Sequence, residues 1–386
     1  MAGARGAGKG PGNLILVLNS GSSSLKFGVY RKGHDEELVL EGSAEGIGRR
    51  SGSLKIKTAD GKTILEEKHV LESQPAALKK IAAALRQQKD AAPVAVGHRV
   101  VHGGPKLRDH QLITPKVLRE LEAAVHFAPL HIPPALALIR EAQKIFPQCP
   151  HYACFDNAFH RTMPEVARHL PLPLKYYRQG VERYGFHGLS CESLVFQLRG
   201  KLPRRAVFAH LGNGSSLTAV VAGKSIDTSM GLTPTGGIPM GTRSGDLDPG
   251  VLLYLMRTGR MGASRLETLL NRESGLFGLS NGESDMQALL KRAAAKDAPA
   301  ELAIVAFTTA VRKYIGAYAA LMGGVDLIVF TGGIGENSTE IRQRSCAGLK
   351  FLRGKVLVLK TEEDRMIARH TRALLTGARK SAQKRS

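Results

Sequence analysis

Residues 14–30 read LILVLNSGSSSLKFGVY, and residues 206–221 read AVFAHLGNGSSLTAVV. Each is an apolar β run, a tight polar turn rich in glycine and serine, then a second β run, the pattern of a hairpin. Ser23-Ser24-Leu25 of the first recurs as Ser215-Ser216-Leu217 of the second, 192 positions later in a chain of 386. Self-similarity at half the chain length predicts a duplicated domain, not a short-period solenoid. A third apolar run, Asp326 to Phe330, enters the glycine-rich stretch TGGIGEN at 331–337. Amphipathic helices are expected over 76–87 and 115–126, and a long, largely buried one over 301–322. Pro129, Pro133 and Pro134 interrupt the chain after the second of these. Strands alternate with helices and end in glycine-rich turns, so the fold class is α/β.

Such turns carry chemistry. Their backbone N–H groups point into the bend and form anion-binding concavities, and the missing side chains admit phosphate oxygens. A single glycine turn is most often only a turn. Three of them, two alike, place a nucleotide-phosphate site ahead of coincidence. GGIGEN has the wrong glycine spacing for the G-x-G-x-x-G dinucleotide pattern. Gly3 to Lys9 nearly spells a P-loop, but Gly10 stands where the magnesium-ligating hydroxyl belongs, and the match precedes a strand instead of following one. Residues 1–13 read as a disordered extension.

Composition sets the outer bounds. Hydrophobic residues make up 43% and charged residues 23%, too apolar for disorder. The 55 Lys and Arg against 33 Asp and Glu give a net charge of +22; six basic residues in the two termini leave +16 for the rest. An anionic ligand suits that balance, although a general surface bias explains it better than nucleic-acid binding, and the absence of Trp argues the same way. Cys149, Cys154, Cys191 and Cys346 lack the spacing of a zinc site and read as reduced thiols. No segment reaches the roughly 20 apolar residues of a membrane span, and no convincing signal peptide is visible. The expected location is cytoplasmic.

Four further segments set polar residues in apolar or turn contexts: GHRVVHGG at 97–104 with Arg99, FDNAFH at 155–160 with Asp156, YGFHG at 184–188 with His187, and GTRSGDLDP at 241–249 with Arg243. Each alone has an ordinary structural explanation, such as a turn histidine, an Asx-turn or a surface ion pair. Together two arginines, a histidine and an aspartate on loops suit charge stabilisation around a transferring phosphoryl group.

At these residues the sequence resembles the acetate kinases, from about Leu14 to Ala368. The matching blocks are NSGSSSLKF, GHRVVHGG, FDNAFHRTMP, YGFHG, HLGNGSS, DTSMGLTP, MGTRSGDLDP, TGGIGEN and TEEDRMIA. The resemblance implies the sugar kinase, heat-shock ATPase and actin superfamily: two duplicated actin-like, ribonuclease-H-like α/β domains with an ATP cleft between them. It implies an N-terminal acid-kinase domain over 1–154, rejoined by a C-terminal helix over 364–386, and a nucleotide-binding and dimerisation domain over 155–363. It implies a homodimer and the Mg²⁺-dependent reaction of ATP with acetate to give ADP and acetyl phosphate, Mn²⁺ being a possible substitute.

Carried over by resemblance, Asn19 and Glu363 are the magnesium-associated pair, and Ser22, Ser24 and Lys26 belong to the first phosphate loop. Arg99 and Arg243 clamp the carboxylate and the phosphoryl in flight, His187 is a further transition-state donor, and Asp156 is the catalytic acidic residue. His210, Leu211, Gly212, Asn213 and Gly214 form the second phosphate loop. Gly332, Gly333, Ile334, Gly335, Glu336 and Asn337 form the adenosine-side loop, with Asp285, Met286 and Gln287 near the nucleotide. Val101, Leu130, Phe186 and Pro234 match the apolar pocket for the acyl methyl group.

Physical chemistry questions one of these roles. A carboxylate nucleophile is already ionised at pH 7 and needs no general base, so Asp156 is expected to orient Arg99 or a magnesium water. Three positions depart from the family pattern: Gln287 where an arginine is usual, Cys191 where histidine is frequent, and Thr235-Gly236-Gly237 in place of Leu-Glu-Gly. The last leaves a propionate or butyrate kinase as the runner-up, since a pocket sensing one methylene discriminates by only about 1–3 kcal/mol. A chaperone-like ATPase has no need of Arg99, Arg243 or GTRSGDLDP.

Overall fold

A computed structural model describes residues 13–383 other than 22, 34 and 88–91. The expected extension at the start and its near P-loop therefore lie outside the described residues, apart from Asn13, and so does Ser22. The chain divides into two compact units, Met1–Ala158 with Glu363–Ser386, and Phe159–Glu362.

The first unit holds strands β1 (Leu14–Ser20), β2 (Ser24–Arg31), β3 (Glu37–Glu45), β4 (Gly52–Thr58), β5 (Thr63–His69), β6 (Pro93–Val100), β7 (Gln111–Leu112) and β8 (His151–Phe155). They form one sheet in the order β5-β4-β3-β2-β1-β6-β8-β7. The second unit holds β9 (Arg205–Leu211), β10 (Ser215–Val221), β11 (Lys224–Thr228), β12 (Leu327–Thr331) and β13 (Lys355–Val358), ordered β11-β10-β9-β12-β13.

The duplication extends to topology. In the first unit β3-β2-β1 is an antiparallel meander and β6 and β8 follow parallel to β1. In the second, β11-β10-β9 is antiparallel and β12 and β13 follow parallel to β9. The two similar hairpins read from the sequence thus occupy the same place in two similar sheets. Central strands explain their composition: Ile15, Leu16, Val17 and Leu18 are buried on both faces of β1, as are Val207, Phe208 and Ala209 in β9.

Helices follow the expected stretches with capping that fixes their ends. Gln74–Gln87 buries Ala77, Leu78, Ile81 and Leu85 on one stripe. The expected helix over 115–126 ends at Ala123 and tightens into a 3₁₀ turn, Val125–Phe127. Pro133 and Pro134, read as interruptions, stand in the opening turn of the helix Ile132–Ile145, where a missing N–H costs nothing. The long helix is Ala298–Met322; the Asp297 side chain accepts from the Ala300 N–H, and Gly323 at φ 69° ends it. Its Phe307, Val311 and Ile315 are buried in the core of the second unit, each such side chain contributing about 1.5–3 kcal/mol.

The last helix, Glu363–Gln383, lies on the first unit's sheet. Ile367 and Thr371 approach β6 so closely that a Cβ at Gly97 would collide with both. Both unit boundaries differ from those expected, at 154/155 and 363/364. Asp156 continues the β6–β8 pairing by donating its N–H to the Val100 carbonyl at 2.9 Å, so it belongs to the first unit. Glu363 does too, as the first residue of the returning helix. None of the four cysteines forms a disulfide. No helix among the described residues is long and apolar enough to cross a membrane.

Candidate active site

In open α/β sheets, ligands collect at the carboxyl ends of the parallel strands. In the first unit those ends bring together Asn19 and Ser20 of β1, Arg99 of β6 and Asp156 just past β8. Arg99 donates from Nη2 to Asp156 Oδ2 at 2.7 Å and from Nη1 to the Ser20 carbonyl at 3.3 Å. Asp156 is 1% exposed and the Arg99 side chain 15%. Burial alone pulls the guanidinium's pKa down. Asp156 first, then Glu363 and Asp364, outweigh it and hold the group above the ordinary arginine value. Arg99 is therefore a fixed, largely buried cation.

The opening turn of the last helix supplies the acids. Asn19 Nδ2 donates to Asp364 Oδ1 at 2.7 Å and to Glu363 Oε2 at 3.4 Å. Burial raises the Asp364 carboxyl above its usual range; Asn19 opposes this, Glu363 adds to it, and Lys26 and Arg99 lower it again. Lys26 stands opposite Asn19 across the β1–β2 hairpin. The turn between these strands is tied at both ends. Gly21 N donates to the Ser24 carbonyl at 2.9 Å, and Gln74 accepts from Ser20 Oγ at 2.8 Å and donates to the Gly21 carbonyl at 2.7 Å. Val101 is half-buried and Leu130 is 38% exposed, both on the first unit.

The second unit builds its own cluster around the turn Gly212–Gly214 between β9 and β10. A Cβ on Gly214 would lie 3.2 Å from His187 Nε2 and 3.4 Å from Arg243 Nη1, so both side chains converge on that backbone. His187 Nδ1 bonds Ser216 Oγ at 2.9 Å, and its ring stacks on His210 with centroids 4.2 Å apart. His210 Nδ1 bonds Ser190 Oγ at 2.8 Å. His187 sits at φ 58°, left-handed backbone that a non-glycine residue rarely adopts, and it begins the helix Gly188–Gln197. Arg243 Nη1 donates to the Pro234 carbonyl at 3.1 Å, which ties it to a buried loop. Gly333 N also lies near the turn, 3.8 Å from a Cβ on Gly212.

A model of the acetokinase family matches residues 14–372. The chain belongs to the acetokinase family. Membership makes it an enzyme, a kinase whose acceptor is a carboxyl group. An acetate kinase of Staphylococcus aureus is 42% identical over 390 residues, 92% of this chain and 97% of that protein. The crystal structure of Porphyromonas gingivalis acetate kinase superposes with a TM-score of 0.83 at 34% identity, covering 94% of this chain and all of the other. A propionate kinase from Francisella tularensis gives a TM-score of 0.88 at 35% identity over the same shares. The duplicated sheets are thus those of the acetokinase family's actin-like fold.

Within this acetokinase, several expected nucleotide-side residues serve the scaffold as well. The stretch Gly332–Asn337, expected as a loop, is a short helix. Gly332 starts it at φ 78°, and a Cβ there would lie 2.7 Å from the Leu211 carbonyl. Glu336 folds back and accepts from the Gly332 N–H at 2.9 Å and from Thr331 Oγ1 at 3.2 Å. Asn337 donates to the Gly333 carbonyl at 2.8 Å, and Arg342 donates to the carbonyls of Gly335 and Glu336. Glu336 and Asn337 therefore hold the turn's shape. Asp285 caps the helix Met286–Ala294 by accepting from the Ala288 N–H at 2.9 Å. The Met286 side chain lies in the hydrophobic core, and Gln287 is exposed. Gly241 lies between the Gly212–Gly214 turn and the residue before this segment, because a Cβ on it would lie 3.5 Å from the Asn213 carbonyl and 3.7 Å from that of Ser284. Phe186 is 1% exposed, and its carbonyl bonds His160 Nε2 at 2.9 Å. Cys191 is buried, with Sγ 3.6 Å from Thr218 Oγ1.

Sequence reasoning missed Asp364, Gln74 and Ser216. Asp364 lies inside the quoted block TEEDRMIA, and its signal was two adjacent acids opening a helix. Asn19 presents its amide N–H to the carboxylates of Glu363 and Asp364, and these three side chains offer only oxygen ligand atoms, the kind that Mg²⁺ and Mn²⁺ prefer.

Proposed function

We propose that this enzyme transfers the γ-phosphoryl group of ATP to acetate, reversibly, giving ADP and acetyl phosphate. An acetate oxygen attacks the γ-phosphorus, the bond from that phosphorus to the β–γ bridging oxygen breaks, and the electron pair leaves with ADP. The main obstacle is electrostatic. Two unit charges 4 Å apart repel by about 4 kcal/mol at an effective dielectric near 20. The observation that carries the reading is the convergence of His187 Nε2 and Arg243 Nη1 on the Gly212–Gly214 turn, where donors for a phosphoryl oxygen are needed.

Arg99 binds the acetate carboxylate, and Asp156 holds the guanidinium in place; no proton needs to be removed. Arg243 and His187 stabilise charge on the phosphoryl in flight. Ser22, Ser24, Lys26 and the segment His210–Gly214 take the β- and γ-phosphates, with Gly332–Asn337 and Asp285–Gln287 on the adenosine side. Asn19 and Glu363, joined by Asp364, hold Mg²⁺ or Mn²⁺. When bound, that ion neutralises charge on the phosphates. Val101, Leu130, Phe186 and Pro234 receive the acyl methyl group.

The enzyme works in the cytoplasm as a homodimer. The helix Pro249–Thr258 buries none of its residues and exposes Val251, Leu253, Tyr254 and Met256, a face suited to a second copy. The surplus of positive charge is surface bias, not a nucleic-acid site. One experiment tests the whole reading: hydroxamate trapping of the acyl phosphate with acetate, propionate and butyrate against ATP and other nucleotides, with and without EDTA. Acetate should give the highest kcat/KM, and EDTA should abolish turnover. A preference for propionate favours the runner-up, for which the similarity to a propionate kinase structure speaks. No acyl phosphate from any acid removes both.

A further inference from the structure

Glu36 is a carboxylate with no part in the chemistry above, yet it is 2% exposed and sits at φ 44°, left-handed backbone that glutamate seldom adopts. Its Oε1 accepts from Arg372 Nε at 2.7 Å and its Oε2 from Arg369 Nη1 at 3.2 Å. The preceding carbonyl, of Asp35, accepts from Arg365 Nε at 3.2 Å and Nη2 at 2.8 Å. The three arginines follow one another at i, i+4 and i+7, so they share one face of the helix Glu363–Gln383. The connection between β2 and β3 thus clips onto that face. The same helix carries Glu363 and Asp364 in its first turn, bonded to Asn19. At 1.5 Å per residue, the two arginines that Glu36 grips lie about 9 and 13 Å along the axis from Glu363.

We propose that Glu36 is a positioning residue that fixes the rotation of the last helix and thereby the aim of the metal-holding carboxylates. The inference rests on the reading of Asn19, Glu363 and Asp364 as metal holders. Met366, Ile367, Ala368 and Leu375 anchor the helix through buried apolar contacts. Such contacts are non-directional and tolerate a small roll. A charge-assisted bond to two arginines is directional and does not. A rotation by one residue turns a helix by about 100°, so even a fraction of that angle swings Glu363 and Asp364 away from Asn19.

The test uses Mn²⁺ as a spin probe, titrated into the full chain with ADP and read by electron paramagnetic resonance. Glu36→Gln should raise the Mn²⁺ dissociation constant about 3–10-fold, the scale of an outer-shell loss, and Glu36→Asp should recover much of it. Glu363→Gln should weaken Mn²⁺ at least as much. The double variant should lose less than the product of the two singles, the mark of coupled residues. A purely structural Glu36 would lower the melting temperature and leave Mn²⁺ affinity unchanged, which overturns the proposal. Should Glu36→Gln not fold, Arg372→Gln at the helix flank carries the same expectation at about 2–5-fold. Wild-type affinity in Glu363→Gln would remove the metal reading together with this one, whereas wild-type affinity only in the Glu36 and Arg372 variants removes this one alone.

Discussion

Arg99 and Asp156 meet at 2.7 Å across the carboxyl ends of β6 and β8, and the aspartate is the more buried of the two. The geometry is that of an oriented cation. Arg99→Ala should therefore lower kcat by about 10²–10³-fold, the range for losing one charge-stabilising donor. Asp156→Asn should cost only about tenfold in acetate affinity, since the amide oxygen still accepts from the guanidinium through a weaker bond. Steady-state kinetics with the hydroxamate assay compare the two, and near-normal turnover in Arg99→Ala would overturn the assignment.

Asp364 ties the stability of the first unit to pH. Its carboxyl titrates above the usual range, chiefly because it is buried. A raised carboxyl contributes most to stability below the unfolded value, about 3.9, and that contribution is lost as pH climbs through the folded value. At pH 7 the ionised group therefore weighs against the apo fold. Asp364→Asn should raise the melting temperature without metal at pH 7, match wild type at acid pH, and show a smaller upward shift on adding Mg²⁺ and ADP. Thermal melts at two pH values, with and without Mg²⁺, decide it.

Gly332 admits no side chain. At φ 78°, with the Leu211 carbonyl 2.7 Å from where a Cβ would stand, Gly332→Ala should cost about 1–3 kcal/mol. It should also raise the KM for ATP more than that for acetate. Urea unfolding and a two-substrate kinetic matrix measure these effects; equal rises in both KM values would contradict the placement of this turn on the nucleotide side.

Tyr254, 63% exposed on the helix Pro249–Thr258, is the largest apolar side chain on the proposed dimer face. Tyr254→Asp should shift the enzyme from dimer to monomer by light scattering after size exclusion. A dimer that survives both this change and Leu253→Asp would place the interface elsewhere.

The two hairpins, the α/β class and the repeat were legible because each rests on local rules: alternation, glycine turns and a fixed offset between copies. What escaped was set at long range. Whether Glu363 or Asp364 faces Asn19, 344 or 345 residues away, depends on helix phase, which two adjacent acids do not reveal. GGIGEN looked like a turn because three of its six residues are glycine. It is a helix because Glu336 caps its first N–H and Arg342 its last carbonyls, and both bonds need the fold already formed. The buried pair His98 and His151, 2.9 Å apart, was equally invisible. It depends on β6 and β8 lying side by side, and burial pushes both rings below the ordinary histidine value.

The return of residues 363–383 to the first sheet has a consequence for biosynthesis. Strands β1 to β8 leave the ribosome early, but the helix that covers Gly97 and brings Glu363 to Asn19 is made only after the whole second unit. At about 5–20 residues per second, that interval is about 10–40 s. During it the first sheet exposes apolar surface to chaperones, while the second unit, contiguous in the chain, can fold as it emerges. Translation that stops short of Glu363 leaves the contiguous second unit complete but omits both acids that pair with Asn19.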